Sequence, residues 1–312
     1  MSRKVAFITG ASRGIGKCCA IELAAVGYDI AITARTVTDG EAREHSNTVR
    51  ASDTSPVPGS LESTKALVER EGAESLVVPA DLLDEPSLHA AVAAVQRWKG
   101  RIDVVVHVAR YTGQGHMDLF IDTPIDLLRH QIEANVIAPL IIDKLVLPGM
   151  IERHSGTLIN FTSAAAYGDP LRRAGEGGWG MGYGVSKGAL QRVSGFLDVE
   201  LRDLGIRCFN VNPGATETEQ MAHGIQKDYT PVFGWSAERK ASPMVVPAKV
   251  VRWLCTDPRA DAYCGKSIEA QHFCNEHKLL AGWAGPTLKE TDILKFDLSG
   301  YELQQTAMRL GA

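Results

Sequence analysis

Short β-branched runs alternate with longer helix-period segments along most of this chain, and that alternation limits the fold more than any other feature. Residues 5–9, 29–35, 75–81, 103–109, 156–163 and 206–213 read as strands, with a weaker seventh at 266–270. Several are apolar on both faces, as in a parallel sheet covered by helices on each side. Helical periodicity marks 14–26, 61–71, 86–98, 124–153, 183–204 and 247–255 between them. Strand, helix, strand, repeated, predicts an α/β fold: a doubly wound parallel sheet of about seven strands in one domain. At 312 residues the chain is long enough to bury a sizeable core.

Three segments break the rhythm. Residues 36–60 are polar and contain SPVPGS, which predicts an extended surface loop. Residues 164–182 are glycine-rich, and 215–244 mix polar and aromatic residues after a Pro-Gly break. The last two follow the carboxyl ends of strands, where open α/β sheets bind ligands. The domain is expected to span 1–270 with these two as substrate loops, and 271–312 to be a C-terminal extension of unassigned role.

The first strand runs into a glycine turn, VAFITGASRGIG, which opens a helix. Glycines allow a tight turn and a close backbone approach, and the helix start offers free N–H groups to a pyrophosphate. The spacing G-x-x-x-G-x-G in this context predicts a dinucleotide site. Strand two ends TAR, with Arg35 where an NAD site would place an acid. Arg13 lies in the glycine turn, and two cations without a carboxylate suit a 2′-phosphate, so NADP(H) is expected over NAD(H).

Tyr183 and Lys187, in YGVSK, stand four apart and share one helix face. An ammonium beside a phenol favours the phenolate, which suits proton transfer near neutral pH.

Together TGASRGIG, Asn135 in NVIAP, Ser163 in NFTSAAA, YGVSK and NVNPG resemble the short-chain dehydrogenase/reductases, in order and spacing over roughly 4–270. The resemblance implies a Rossmann-fold oxidoreductase interconverting a ketone or aldehyde and a secondary alcohol. It implies catalytic roles for Tyr183 as general acid/base, Lys187 as its activator and ribose ligand, Ser163 on the reacting oxygen, and Asn135 in a water-linked proton path. It implies cofactor contacts from Gly10, Ser12, Arg13, Gly14, Ile15, Gly16, Arg35, Asp81, Leu82, Ala109, Tyr183, Lys187, Pro213, Gly214 and Thr216. It also implies a homodimer or homotetramer, assembled through the helices at 124–153 and 183–204.

The sequence departs from that pattern after strand four. HVAR replaces the usual asparagine with His107 and the glycine with Arg110. Arg110 is expected to reach solvent through a small loop shift, with a cleft-facing guanidinium as the alternative. The 164–182 insert, carrying Tyr167, Arg172, Arg173, Trp179 and Met181, is a candidate pocket wall and lid. With Met221, Phe233 and Trp235 it suggests a hydrophobic small-molecule substrate. A nucleotide-binding regulator or scaffold with weakened catalysis is the alternative function.

A net charge of -4 gives no electrostatic footprint for nucleic acid or an anionic membrane. No apolar run reads as long enough to span a bilayer, and the cytoplasm is the expected location. The six cysteines form no CxxC pair and read as reduced, mostly buried thiols. Cys264, His272, Cys274 and His277 match no zinc spacing, so no metal site is expected.

Overall fold

The computed structural model describes residues 3–170, 172–226 and 241–286. Seven parallel strands form one sheet in the order β3-β2-β1-β4-β5-β6-β9. The central strands are β1 (Lys4–Thr9), β4 (Val104–His107), β5 (Gly156–Phe161) and β6 (Ile206–Asn212). Outside them lie β2 (Tyr28–Thr33), β3 (Ser75–Val77) and β9 (Ser267–Glu269). All seven expected strands form, several ending one to four residues early at their carboxyl ends. The released backbone there turns into the loops that carry the site.

The helices fall on both faces. On one side α1 (Gly14–Ala24), α2 (Leu61–Arg70) and α8 (Val245–Thr256) cover the sheet. On the other lie α3 (Glu85–Lys99), α5 (Ala138–Glu152) and α6 (Met181–Leu201). Two apolar layers follow, one around Ile8, Leu23 and Leu254, the other around Phe7, Ile142 and Leu158. Alternate residues of each strand feed the two layers, which is why the strands read as continuous apolar runs. Ser60 caps α2 through a reciprocal bond pair with Ser63.

The long helical run at 124–153 divides. It comprises α4 (Ile125–Ile132), a wider π turn over Glu133–Ile137, and α5. The expectation that no apolar run could span a bilayer is corrected here. Ile125–Glu152 is long and apolar enough by length and composition, with mean hydropathy 1.6 in its best window. Half of that window is buried in the domain, and a core helix meets the same test.

Four elements were not foreseen. A two-stranded parallel pair joins β7 (Thr216–Glu217) to β8 (Ser242–Pro243), and α7 (Glu219–Gln226) follows β7. Beyond residue 270, α9 (Ala270–Glu276) buries Phe273 and Cys274 against Trp253. The described part of the tail, through 286, packs on the core through Phe273, Cys274, Leu279, Leu280 and Trp283.

The 36–60 segment forms no helix or strand and much of it is exposed, as expected of a surface loop, but it is anchored to the domain at several points. His45, Ser46, Asp53, Val57 and Ser60 are buried in it. It crosses to the loop after β4, where Asp118 accepts bonds from Thr48 Oγ1 (2.6 Å) and Val49 N (2.8 Å). Pro and polar content signalled a loop, but the long-range partners that fold it inward leave no local pattern.

Candidate active site

The sheet reverses its winding between β1 and β4, and the cavity opens at the carboxyl ends of these strands, as expected for such a switch point. It measures about 310 Å³. Gly10, Ser12, Arg13, Gly14, Ile15 and Gly16 line it together with Tyr183 and Lys187. Gly10 has φ +67°, and a Cβ there would stand 2.8 Å from the Ala109 backbone. A Cβ on Gly16 would overlap the Gly10 carbonyl oxygen. The glycine turn is thus a close-packed cradle at the start of α1, shaped for a ligand that approaches backbone.

Of the other expected contacts, Arg35, Asp81, Leu82, Ala109 and Pro213 line the same cavity. Arg35 Nη2 donates to Thr112 Oγ1 at 3.0 Å. Arg13 is differently employed. Its guanidinium donates to the carbonyls of Val57 (3.0 Å), Pro58 (3.0 Å) and Gly59 (2.7 Å), clamping the 36–60 strap to the glycine turn. Gly214 and Thr216 stand off the cavity wall. Gly214 N bonds Asn212 Oδ1, and Thr216 is buried beside Ser242. Thr218 and Gln220 occupy the wall in their place. Their signal was positional: both follow β6, Thr218 just before α7 and Gln220 in its first turn.

Tyr183 stands in the first turn of α6, and Lys187 one turn on. Lys187 is 3% exposed, and its Nζ donates to the Phe161 carbonyl at 2.7 Å. Burial, then the like charge of Arg110, lowers its pKa to about 7. Asn135, in the π turn, lies behind the cavity rather than on its wall. Its Oδ1 accepts from Tyr111 N (2.6 Å), and its Nδ2 donates to Ser186 Oγ (2.9 Å). Ser186 Oγ in turn donates to the Tyr183 carbonyl at 3.0 Å. Asn135 thereby ties the loop after β4 to the first turn of α6. Ser163 is also off the wall. It caps a short turn after β5, its Oγ accepting from Ala165 N at 3.3 Å.

Arg110 does not turn out to solvent as expected. It is half-buried on the cavity wall, with Nη1 donating to the Tyr111 carbonyl at 3.0 Å. His107 has its own explanation. Its Nε2 lies 2.8 Å from Asp143 Oδ1, and both residues are buried, so a His–Asp pair ties β4 to α5.

His116 was missed because nothing near it in sequence marks it. Its ring meets Tyr183 edge to face with centroids 4.4 Å apart. Burial, then Arg110 and Lys187, pushes its pKa well below the ordinary value and keeps the imidazole neutral. The glycine-rich insert closes against this region, Gly180 N bonding the His116 carbonyl at 2.9 Å. At its other end Tyr167 donates to Glu269, and Asn212 Nδ2 bonds Tyr167 Oη at 2.6 Å. No described residue of the insert lines the cavity. Phe233 and Trp235 lie outside the described residues.

Cys264, His272, Cys274 and His277 do not bring three ligand atoms to one point. Among the described residues only His45, Asp53 and His223 do. All six cysteines are free thiols.

A parallel sheet of this topology, with a glycine cradle and a Tyr–Lys pair in one cavity, defines a nucleotide-binding oxidoreductase class. The family models for short chain dehydrogenase and for enoyl-(acyl carrier protein) reductase match residues 4–66 and 55–260. The chain is 28% identical over 280 residues to a short chain dehydrogenase of Pseudocercospora fijiensis, covering 86% of this chain and 80% of that one. It is 31% identical over 232 residues to dehydrogenase/reductase SDR family member 7 of Homo sapiens. That match covers 74% of this chain and 60% of the human protein. Among solved structures, a short chain dehydrogenase from Mycobacterium paratuberculosis bound to NAD shares the fold, with TM-score 0.67 and 23% identity. The match covers 85% of this chain and 95% of that one. The chain belongs to the short-chain dehydrogenase/reductase family.

Proposed function

We propose that this oxidoreductase interconverts a ketone or aldehyde and a secondary alcohol, using NADP(H), with Tyr183 as general acid in reduction and general base in oxidation. The observation that carries the reading is the single cavity running from the glycine cradle to Tyr183 and Lys187. The bound nicotinamide would supply the hydride. The chain supplies position and proton. Lys187, charged, favours negative charge on the phenol oxygen, and Ser163 would hydrogen-bond the reacting oxygen from the end of β5. Asn135 holds Ser186, which bonds the Tyr183 carbonyl, and so braces the start of α6.

Arg35 and Arg43 on the cavity wall support the 2′-phosphate reading. Glu41 on the same wall is already engaged by Arg43 at 2.6 Å. Gly10, Ser12, Gly14, Ile15 and Gly16 would hold the diphosphate, and Asp81 and Leu82 the adenine. Tyr111 and Pro213 give the substrate end apolar surface, which suits a hydrophobic carbonyl compound. Exposed Phe196 and Val199 on α6 favour a homo-oligomer built on that helix.

NADPH oxidation against a panel of ketones, aldehydes and quinones tests the activity, and dissociation constants for NADPH and NADH test the cofactor. Tighter NADH binding would refute the NADP assignment. The off-wall position of Ser163 favours the second reading, a weakened dinucleotide-binding regulator. Tight NADPH binding without turnover across the panel would select it.

A further inference from the structure

The strap and α7 meet at a cluster of ligating side chains that the hydride chemistry does not use. His45 and Asp53 come from the strap and His223 from α7, and their ligand atoms lie within 4.8 Å of one another. His45 Nε2 is 3.9 Å from Asp53 Oδ1, and His223 Nε2 is 3.6 Å from Asp53 Oδ2. His45 and Asp53 are each 8% exposed. The two imidazoles meet edge to face, with centroids 5.0 Å apart.

We propose that His45, Asp53 and His223 form a site for a divalent transition-metal ion of the zinc class, which staples the strap to α7 at the cavity mouth. Two imidazoles and one carboxylate are a borderline donor set that suits zinc better than magnesium or calcium. Ligands about 2.0–2.2 Å from a tetrahedral ion stand roughly 3.3–3.5 Å apart. The His223–Asp53 pair is within a few tenths of an ångström of that spacing and the His45–Asp53 pair about half an ångström beyond it, while all three ligand atoms lie within 4.8 Å, so binding requires the strap and α7 to draw together. A water would complete four-coordination, and the Ser55 carbonyl, which now accepts from His45 Nε2 at 2.8 Å, would move aside as the ion replaces that proton.

The surroundings accommodate the required protonation. Metal binding at His45 Nε2 moves the ring proton to Nδ1, which faces the Gln220 carboxamide at 3.2 Å. Rotating that amide presents its oxygen as the acceptor, the usual outer support for a ligating histidine. A serine–histidine–acid relay is excluded. Ser55 Oγ, at 3.0 Å, and Asp53 both address Nε2 of His223, whereas a relay needs the acid on the other ring nitrogen. His45, Ser55 and Gln220 also line the cavity, so the staple would fix the walls where strap and α7 converge.

The full chain, stripped with chelator and dialysed, is titrated with zinc chloride by calorimetry and with cobalt chloride by visible absorption. One zinc per chain and intense tetrahedral cobalt bands are expected. Asp53→Asn, which keeps the side-chain size, and His223→Ala should each weaken zinc at least tenfold, while His89→Ala on the exposed face of α3 should not. Circular dichroism checks that each variant is folded. Absence of saturable zinc binding in the wild type overturns the proposal, as does undiminished binding in folded Asp53→Asn. Neither result depends on turnover, so failure here is separable from failure of the reductase reading.

Discussion

Lys187 sits in a balance that single residues can shift. Burial lowers its pKa to about 7, and Arg110 lowers it further than burial alone would. Arg110→Gln removes a like charge, so Lys187 should stay protonated to higher pH. The pH midpoint of any NADPH-binding step that requires the ammonium should therefore move upward, measured by fluorescence titration from pH 6 to 9. An unmoved midpoint would mean that Arg110 does not act on Lys187. At this scale the sequence was informative where motif residues face the cavity and silent elsewhere. Tyr183, Lys187 and the glycines were legible because their spacing encodes their geometry. The inward turn of Arg110 and the contact of His116 with Tyr183 were not, because both depend on how the loop after β4 folds against distant residues.

Elements place these residues, and their ends are where substitutions should tell. Gly16 has no room for a side chain, so Gly16→Ala must displace the turn at Gly10. NADPH affinity should fall at least tenfold, read as a dissociation constant, while far-UV circular dichroism stays near native. Ser60 caps α2 where the strap returns to the helix layer. Ser60→Ala should cost about 1 kcal/mol of stability, measured as a lowered denaturant midpoint at constant slope. The strand–helix alternation was readable because apolar periodicity is local. α7 and the β7–β8 pair escaped notice because two-residue strands and a helix of eight residues carry little periodic signal. The strap's loop character is legible in its Pro and polar content, but its anchoring rests on Arg13 and Asp118, far away in sequence.

Across the whole molecule, buried titratable groups set how stability varies with pH. The folded-state pKa of Lys187 lies below the unfolded value of about 10.4, so the unfolded chain binds more protons above pH of about 7 and stability rises there. The buried thiols act in the opposite sense. Burial pushes Cys255 up to about 12 and Cys18 to about 11, and raises Cys208 as well. Their folded pKa values exceed the unfolded value of about 8.5, so they remove stability above it. The cofactor-free chain should gain stability from pH of about 7 to 8.5 and lose it beyond, followed by denaturant midpoints. Lys187→Met should abolish the rising limb. Assembly is tested at the same scale. Val199 is 86% exposed on α6, and Val199→Asp should convert an oligomer to monomer in sedimentation analysis without unfolding it.

The central claim is that Tyr183 exchanges the proton at the substrate oxygen. Tyr183→Phe keeps the ring and its packing on His116 but removes the hydroxyl, and turnover with NADPH and a ketone is the direct readout. A loss of at least about a hundredfold in kcat, with the NADPH dissociation constant within a few-fold of wild type, is predicted. Near-normal kcat in the folded variant would contradict the account.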